Sequence, residues 1–442
     1  MIPLVLSLML PMTISAQTSS HNVEALQQQI DLLQQQLDSA KRELLEAEKQ
    51  RELAEERADA AEIETAEINL ESDSDPLQFG PLKIGGAMRA NYAVGDYPES
   101  ESGAASRAVE DGGDFALDTF RINLDYQNNN WLGKVEYRWY PGYNFLHTGW
   151  VGYQFDENRQ LQVGVNRVPF GPGPYGVSQS WLFDQHYYLG LSDDMDLGVK
   201  YSQQLGNLKL DTAYYISDEG SYKGGSKDSS RYSYDVVNES DAGYEERHQF
   251  NLRAIYSIKG DTGIDSDLGI SLQYSELKSK GIQSDGDHHA ASIHMLNMWK
   301  NFTLASQITY YNYNVSDRQP LGTDNLVQMG AYDFPSTAAA RAWVPAISLS
   351  YYQKTNNLPW LDYVIPYIEY SSVIKTESEF NDSEMATLGA AFGYGNWYIY
   401  ADWAYSNGNE FVGGDTAFGD RLGANEQDEW ESRFNINFGY YF

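Results

Sequence analysis

The chain has 442 residues, with 30 basic against 63 acidic side chains, no Cys, and 34 Tyr, 17 Phe and 10 Trp. The missing cysteines exclude a disulfide framework and cysteine-based metal or redox chemistry, and the acidic excess argues against a nucleic-acid partner. No apolar run after the N-terminus reaches the roughly 20 residues of a spanning helix, so a helical membrane protein is excluded too.

Residues 1–16 (MIPLVLSLMLPMTISA) form a short apolar run ending in small residues and broken by Pro11. They predict a secretory signal peptide, although its first residues carry no Lys or Arg. From about residue 21 to residue 70 the pattern becomes a heptad. Val23, Ile30, Leu37 and Leu44 fall at one seam position, and Leu26, Leu33, Ala40, Ala47, Ala54 and Ala61 at the other. Arg51 and Thr65 interrupt it. A stripe this thin predicts an α-helical coiled coil that self-associates, with a spacer helix as the alternative. Acidic residues and Pro76 in ESDSDP (71–76) end the helix.

Residues 77–442 read as strands throughout. Sixteen segments alternate with period two, at about 82–93, 116–127, 131–140, 146–156, 160–167, 196–205, 207–217, 246–258, 266–278, 288–299, 302–313, 342–353, 360–373, 385–394, 396–406 and 430–442. Phe120, Ile122, Leu124 and Tyr126, for example, oppose Arg121, Asn123 and Asp125. Connections alternate between long polar excursions (94–115, 168–195, 218–245, 314–341 and 407–429, with shorter ones at 141–145, 279–287 and 374–384) and tight turns. An even count places both ends of the strand domain at the short-turn end. The fold class predicted is all-β: a 16-stranded antiparallel transmembrane β-barrel behind a coiled coil, with Tyr and Trp forming two interfacial girdles in outer-membrane lipid. Closure removes the edges that an open sheet of this length would expose. The coiled coil would then lie in the periplasm, and the C-terminal Phe442 resembles the assembly signal of such barrels.

One excursion stands apart. Leu161, Val163 and Val165 alternate as a strand; Pro169, Gly171, Pro172, Gly173 and Pro174 then forbid both helix and ladder; alternation returns at Leu197, Val199 and Tyr201. A loop of about thirty residues in a compact domain is usually functional, and this one predicts a segment folded into the bore. It would constrict the bore with Pro169, Phe170, Gly171, Ser180, Phe183, Asp184, Asp193, Asp194 and Asp196.

The same stretch carries a resemblance. Gly164, Pro169-Phe170-Gly171, Ser180-Trp181-Leu182-Phe183 and Gly198-Val199 resemble the phosphate-selective porin O/P family. That resemblance implies a homotrimer of 16-stranded barrels, each constricted by its third long loop, with selectivity resting on inward arginines and lysines. Here alternation turns Arg89, Arg121, Lys134, Arg138, Lys200 and Arg253 inward, but also Asp125, Glu136, Asp211, Glu369 and Asp402. The bore therefore reads as mixed, predicting at most weak ion selectivity, because distant acidic loops are screened beyond about 8 Å.

No enzyme signature accompanies the barrel pattern. His288, His289 and His294 lack an HExxH frame and read as solvated, and the Gly pairs 112–113, 224–225 and 413–414 read as loop punctuation. No cofactor and no metal site is expected. The function predicted is passive diffusion of small hydrophilic solutes or ions; the alternative is a structural or adhesive barrel tethered to periplasmic material by its coiled coil.

Overall fold

The structure, a computed structural model, describes residues 77–95, 114–260, 263–355, 358–413 and 420–442. The expected signal peptide (1–16) and coiled coil (21–70) lie outside the described residues. The strands are β1 (Leu77–Phe79), β2 (Leu82–Gly95), β3 (Asp114–Asn128), β4 (Trp131–Tyr140), β5 (Tyr143–Asp156), β6 (Arg159–Arg167), β7 (Met195–Leu205), β8 (Leu208–Asp218), β9 (Asp235–Val236), β10 (Tyr244–Lys259) and β11 (Ile264–Ser279). They continue with β12 (Gly286–Trp299), β13 (Phe302–Asn314), β14 (Leu326–Ala331), β15 (Phe334–Ala339), β16 (Arg341–Tyr351), β17 (Gln353–Lys354), β18 (Tyr363–Lys375), β19 (Ser383–Tyr394), β20 (Trp397–Asn407) and β21 (Glu431–Tyr441).

Sixteen of these, β2 to β8, β10 to β13, β16 and β18 to β21, pair antiparallel in chain order, and β2 pairs with β21 to close the barrel. They coincide with the sixteen segments read from alternation. The barrel strands run from 9 residues in β6 to 16 in β10 and β11, enough to cross a hydrocarbon layer that needs about 9–11. Closure leaves no open edge among the sixteen barrel strands.

Alternation also sorts the two faces. Met88, Val151, Phe250, Ile270, Ile293, Ile368, Leu388 and Trp403 stand exposed on the outside, while Arg121, Asn251, Ser271, Gln307, Asn435 and Asn437 are buried inside. A soluble protein would invert this arrangement. Aromatic pairs meet at both rims of the outer face. Trp131 with Tyr153, Trp299 with Phe302 and Trp397 with Tyr440 ring the short-turn end; Tyr137 with Trp139, Tyr310 with Trp343 and Tyr405 with Trp430 ring the other. Two such belts match the two interfaces of a membrane.

The long connections contain structure that alternation over long windows does not show. β14 and β15 form a hairpin whose two-residue turn, Tyr332 and Asp333, has φ of 50° and 71°, as a type I′ turn demands. β14 also pairs with β9, making a three-stranded sheet outside the barrel wall. Six residues are too few to span a membrane, so this sheet serves the long-loop end instead. Its aromatic residues Tyr234, Tyr332 and Phe334 pack with Phe145, Tyr187, Tyr188 and Phe411 in one buried cluster.

Candidate permeation site

The excursion between β6 and β7, residues 168–194, is called the strap below. Its Pro/Gly start denies it helix and ladder, so its backbone groups must find other partners, and they find them on the barrel wall. Gly171 N–H donates to Ser271 Oγ on β11 at 3.1 Å, and Arg253 on β10 donates to Gly171 O at 3.4 Å. Gly171 has φ of 73°, and a Cβ there would lie 2.9 Å from Gln307 Oε1 on β13. Only glycine fits that turn.

Farther along, two carboxylates hold the strap. Glu369 on β18 accepts from Ser178 Oγ at 2.7 Å, from Gln179 N–H at 2.5 Å and from its neighbour Ser348 Oγ at 3.0 Å. Asp402 on β20 accepts from Trp181 N–H at 3.3 Å and from Tyr367 Oη at 2.6 Å. The returning limb adds Gln185 N–H to Ser371 Oγ at 3.1 Å and His186 Nε2 with Thr309 Oγ1 at 2.9 Å. Every one of these wall contacts falls on β10, β11, β13, β18 or β20.

Within the strap, the residues singled out from sequence act as staples. Ser180 N–H donates to Ser178 Oγ and Leu182 N–H to Ser180 Oγ, while Asp184 accepts from Val177 N–H at 3.2 Å and His186 N–H at 2.8 Å. Pro169 and Phe170 are buried, and Phe183 stacks on Tyr187 with ring centres 4.2 Å apart. Asp193 pairs with Arg167 at 2.7 Å and accepts from Tyr232 Oη at 2.5 Å. Asp196 accepts from Gln249 Nε2 at 2.7 Å, whereas Asp194 Oδ1 has no protein donor.

The opposite wall, β2 to β4 with β21, is built on its own ion pairs. Arg89 lies 4.0 Å from Asp118, and Glu136 bridges Arg121 at 3.5 Å and Arg138 at 2.5 Å. Arg89 Nε, Asn91 Oδ1, Arg121 Nε, Asn123 Oδ1, Asn435 Nδ2 and Asn437 Oδ1 have no hydrogen-bond partner in the protein. Buried polar groups are rarely left so, and here they line one continuous strip. Arg433, beside this strip, donates to Phe411 O at 2.9 Å; alternation marks it as inward, but the sequence reading passed over it.

The other basic residues predicted to face inward are paired as well. Lys134 pairs with Asp125 at 3.5 Å, Arg253 with Asp211 at 2.8 Å, and Lys200 donates to Arg167 O at 2.7 Å. The histidines differ from expectation. His289 is exposed, but His288 stacks on Tyr313 at 3.9 Å and His294 is 3% exposed against Gly269, because the bore at that level is filled rather than solvated.

No protein-family model and no curated protein sequence matches the chain. Among solved structures, OmpT of Vibrio cholerae aligns with a TM-score of 0.50 at 12% identity, covering 83% of this chain and 100% of that one. The outer membrane channel DcaP of Acinetobacter baumannii aligns with a TM-score of 0.51 at 9% identity, covering 82% and 97%. At such identities the likeness is one of fold: the chain has the barrel of outer-membrane porins and channels. The resemblance to phosphate-selective porins rests on the quoted motifs alone.

Proposed function

We propose that the protein is a bacterial outer-membrane porin in which small hydrophilic solutes diffuse past the strap, along the wall formed by β2, β3, β4 and β21. One observation carries this reading. The strap is laced to one side of the bore by Glu369 and Asp402, while six buried polar atoms without hydrogen-bond partners, on Arg89, Asn91, Arg121, Asn123, Asn435 and Asn437, lie together on the other. Groups placed in that way are available to water and to a passing solute. Arg89, Arg121 and Arg138 outnumber Asp118 and Glu136 on this wall, which supports a weak preference for anions, the chemical class of the family resemblance. The homotrimer, the signal peptide and the periplasmic coiled coil belong to the same proposal. Purified protein in planar bilayers should give stepwise conductance with a modestly anion-favouring reversal potential in a salt gradient.

A specific observation supports a second reading. Above the strap, the sheet β9–β14–β15 and the aromatic cluster fill the long-loop end, and Tyr187, Tyr188, Tyr234, Tyr332 and Phe411 meet there. A barrel permanently sealed in that way would be structural, and its bilayer recordings would be silent.

A further inference from the structure

Three carboxylates from two separate segments meet where the strap ends. Asp194 closes the strap, Asp196 sits on the inward face of β7, and Asp235 opens β9 in the 219–243 loop; their oxygens lie within 4.8 Å of one another. The three residues are only 5%, 3% and 3% exposed. Met195 N–H donates to Ser233 Oγ at 2.8 Å, so the two segments are also joined at the backbone.

Compensating charge is scarce. Arg231 lies 2.9 Å from Asp235, but it is shared with Asp218 at 2.9 Å, Asp228 at 2.9 Å and Glu219 at 3.7 Å. Asp196 receives one neutral amide, from Gln249. The carboxylate of Asp194, a residue 5% exposed, takes a neutral hydrogen bond from Ser233, and its Oδ1 receives none. Buried like charges this close are strongly unfavourable unless a cation or protons intervene.

We propose that Asp194, Asp196 and Asp235 bind one divalent cation of the hard, oxygen-seeking class, calcium in preference to magnesium, and that the ion pins the 219–243 loop to the outer end of the strap. Calcium bonds to oxygen at about 2.3–2.6 Å, so ligand oxygens up to roughly 5 Å apart can share one ion; magnesium, at about 2.0–2.1 Å, requires a tighter set. The 4.8 Å spread fits the larger ion. Three carboxylates on two segments would convert a repulsive contact into a cross-link, holding the constriction against the loop that covers it.

The test uses full-length protein in detergent micelles, freed of divalent ions with EDTA, and terbium as the probe. Tyr234 directly precedes Asp235, whereas the first 76 residues contain no Tyr or Trp. Tyrosine-sensitised terbium emission therefore reports on the barrel and not on the acidic N-terminal segment. The expected result is one terbium per chain, displaced by calcium at lower concentration than by magnesium. Asp194→Asn and Asp235→Asn should each weaken binding about tenfold, since calcium affinity follows the ligand charge count, and the double variant should lose it. Both are near-isosteric and relieve repulsion, and retained heat-modifiable migration on gels would show that they fold. Absence of calcium-displaceable emission from the unmodified protein would overturn the proposal, as would undiminished emission from the folded double variant. Neither result depends on whether the barrel conducts.

Discussion

The two sides of the bore are built from the same kinds of residue and do different work. On β10, β11, β13, β18 and β20 several inward polar groups are spent on the strap: Glu369 and Asp402 accept its backbone N–H groups, and Ser271, Thr309 and Ser371 bond to it, although Asn251 Oδ1 and Gln307 Oε1 keep no partner. On β2, β3 and β21 comparable groups, Arg89, Asn91, Arg121, Asn123, Asn435 and Asn437, keep atoms without hydrogen-bond partners in the protein. An inward carboxylate is therefore not by itself a charge in the permeation path. Whether it acts on a solute depends on what already occupies its lone pairs.

The largest effect should come from unlacing the strap. Glu369→Ala with Asp402→Ala removes the acceptors of the Gln179 and Trp181 N–H groups and leaves these strap donors unsatisfied, at about 1–3 kcal/mol each. Single-channel conductance should rise severalfold and become noisy, with the barrel still folded. If the conductance stays as in the unmodified protein, the strap does not depend on this wall.

Next in size is the distinction between outside and inside. Leu252→Arg, on the outer face near the middle of β10, should destabilise the barrel by about 2–4 kcal/mol in bilayer or detergent refolding. Asn123→Arg, inward and opposite Glu136 in register, should be tolerated. Equal stability of the two variants would mean that one strand register is shifted by a residue.

A smaller effect concerns the 408–430 loop. Glu410 is fully buried, and Tyr234 Oη donates to its Oε2 at 3.2 Å. Burial raises its pKa from 4.5 to about 8. Because the folded pKa lies above the unfolded one, the folded state binds the extra proton. The corresponding stability is complete below pH 4.5 and fades as pH rises through about 8. Contacts between this loop and Tyr234 should loosen from pH 7 to pH 9, seen as lower hydrogen-exchange protection in residues 408–412 once the intrinsic base-catalysed rate is divided out. Glu410→Gln should remove the pH dependence; if it persists in that variant, another group titrates.

Much of this architecture can be read directly from the sequence. Period-two alternation locates all sixteen barrel strands among the described residues, since a wall with lipid on one face and a polar bore on the other imposes that period on every strand. The strap is legible as well, because five Pro and Gly residues between 169 and 174 leave the chain no regular structure. Its attachments are not. Glu369 and Asp402 lie about 190 and 221 residues from their strap partners, and alternation reports the face of a residue but never its partner. The Asp184 and Ser180 staples follow local side-chain-to-backbone patterns that a search for such turns could have found. The β14–β15 hairpin escaped because its six-residue strands sit inside a polar excursion. Asp194 and Asp235 come together only through folding, so no spacing in the sequence announces their contact.

The central claim, that the path runs along the arginine-bearing wall opposite the strap, is tested most directly by reversal potential. In a potassium chloride gradient, the unmodified protein should lean toward anions, and Arg89→Ala/Arg121→Ala, which leaves Asp118 and Glu136 in place, should shift the potential clearly toward cations. An unchanged reversal potential in that double variant, with conductance and folding retained, would contradict the claim and place the path elsewhere in the bore.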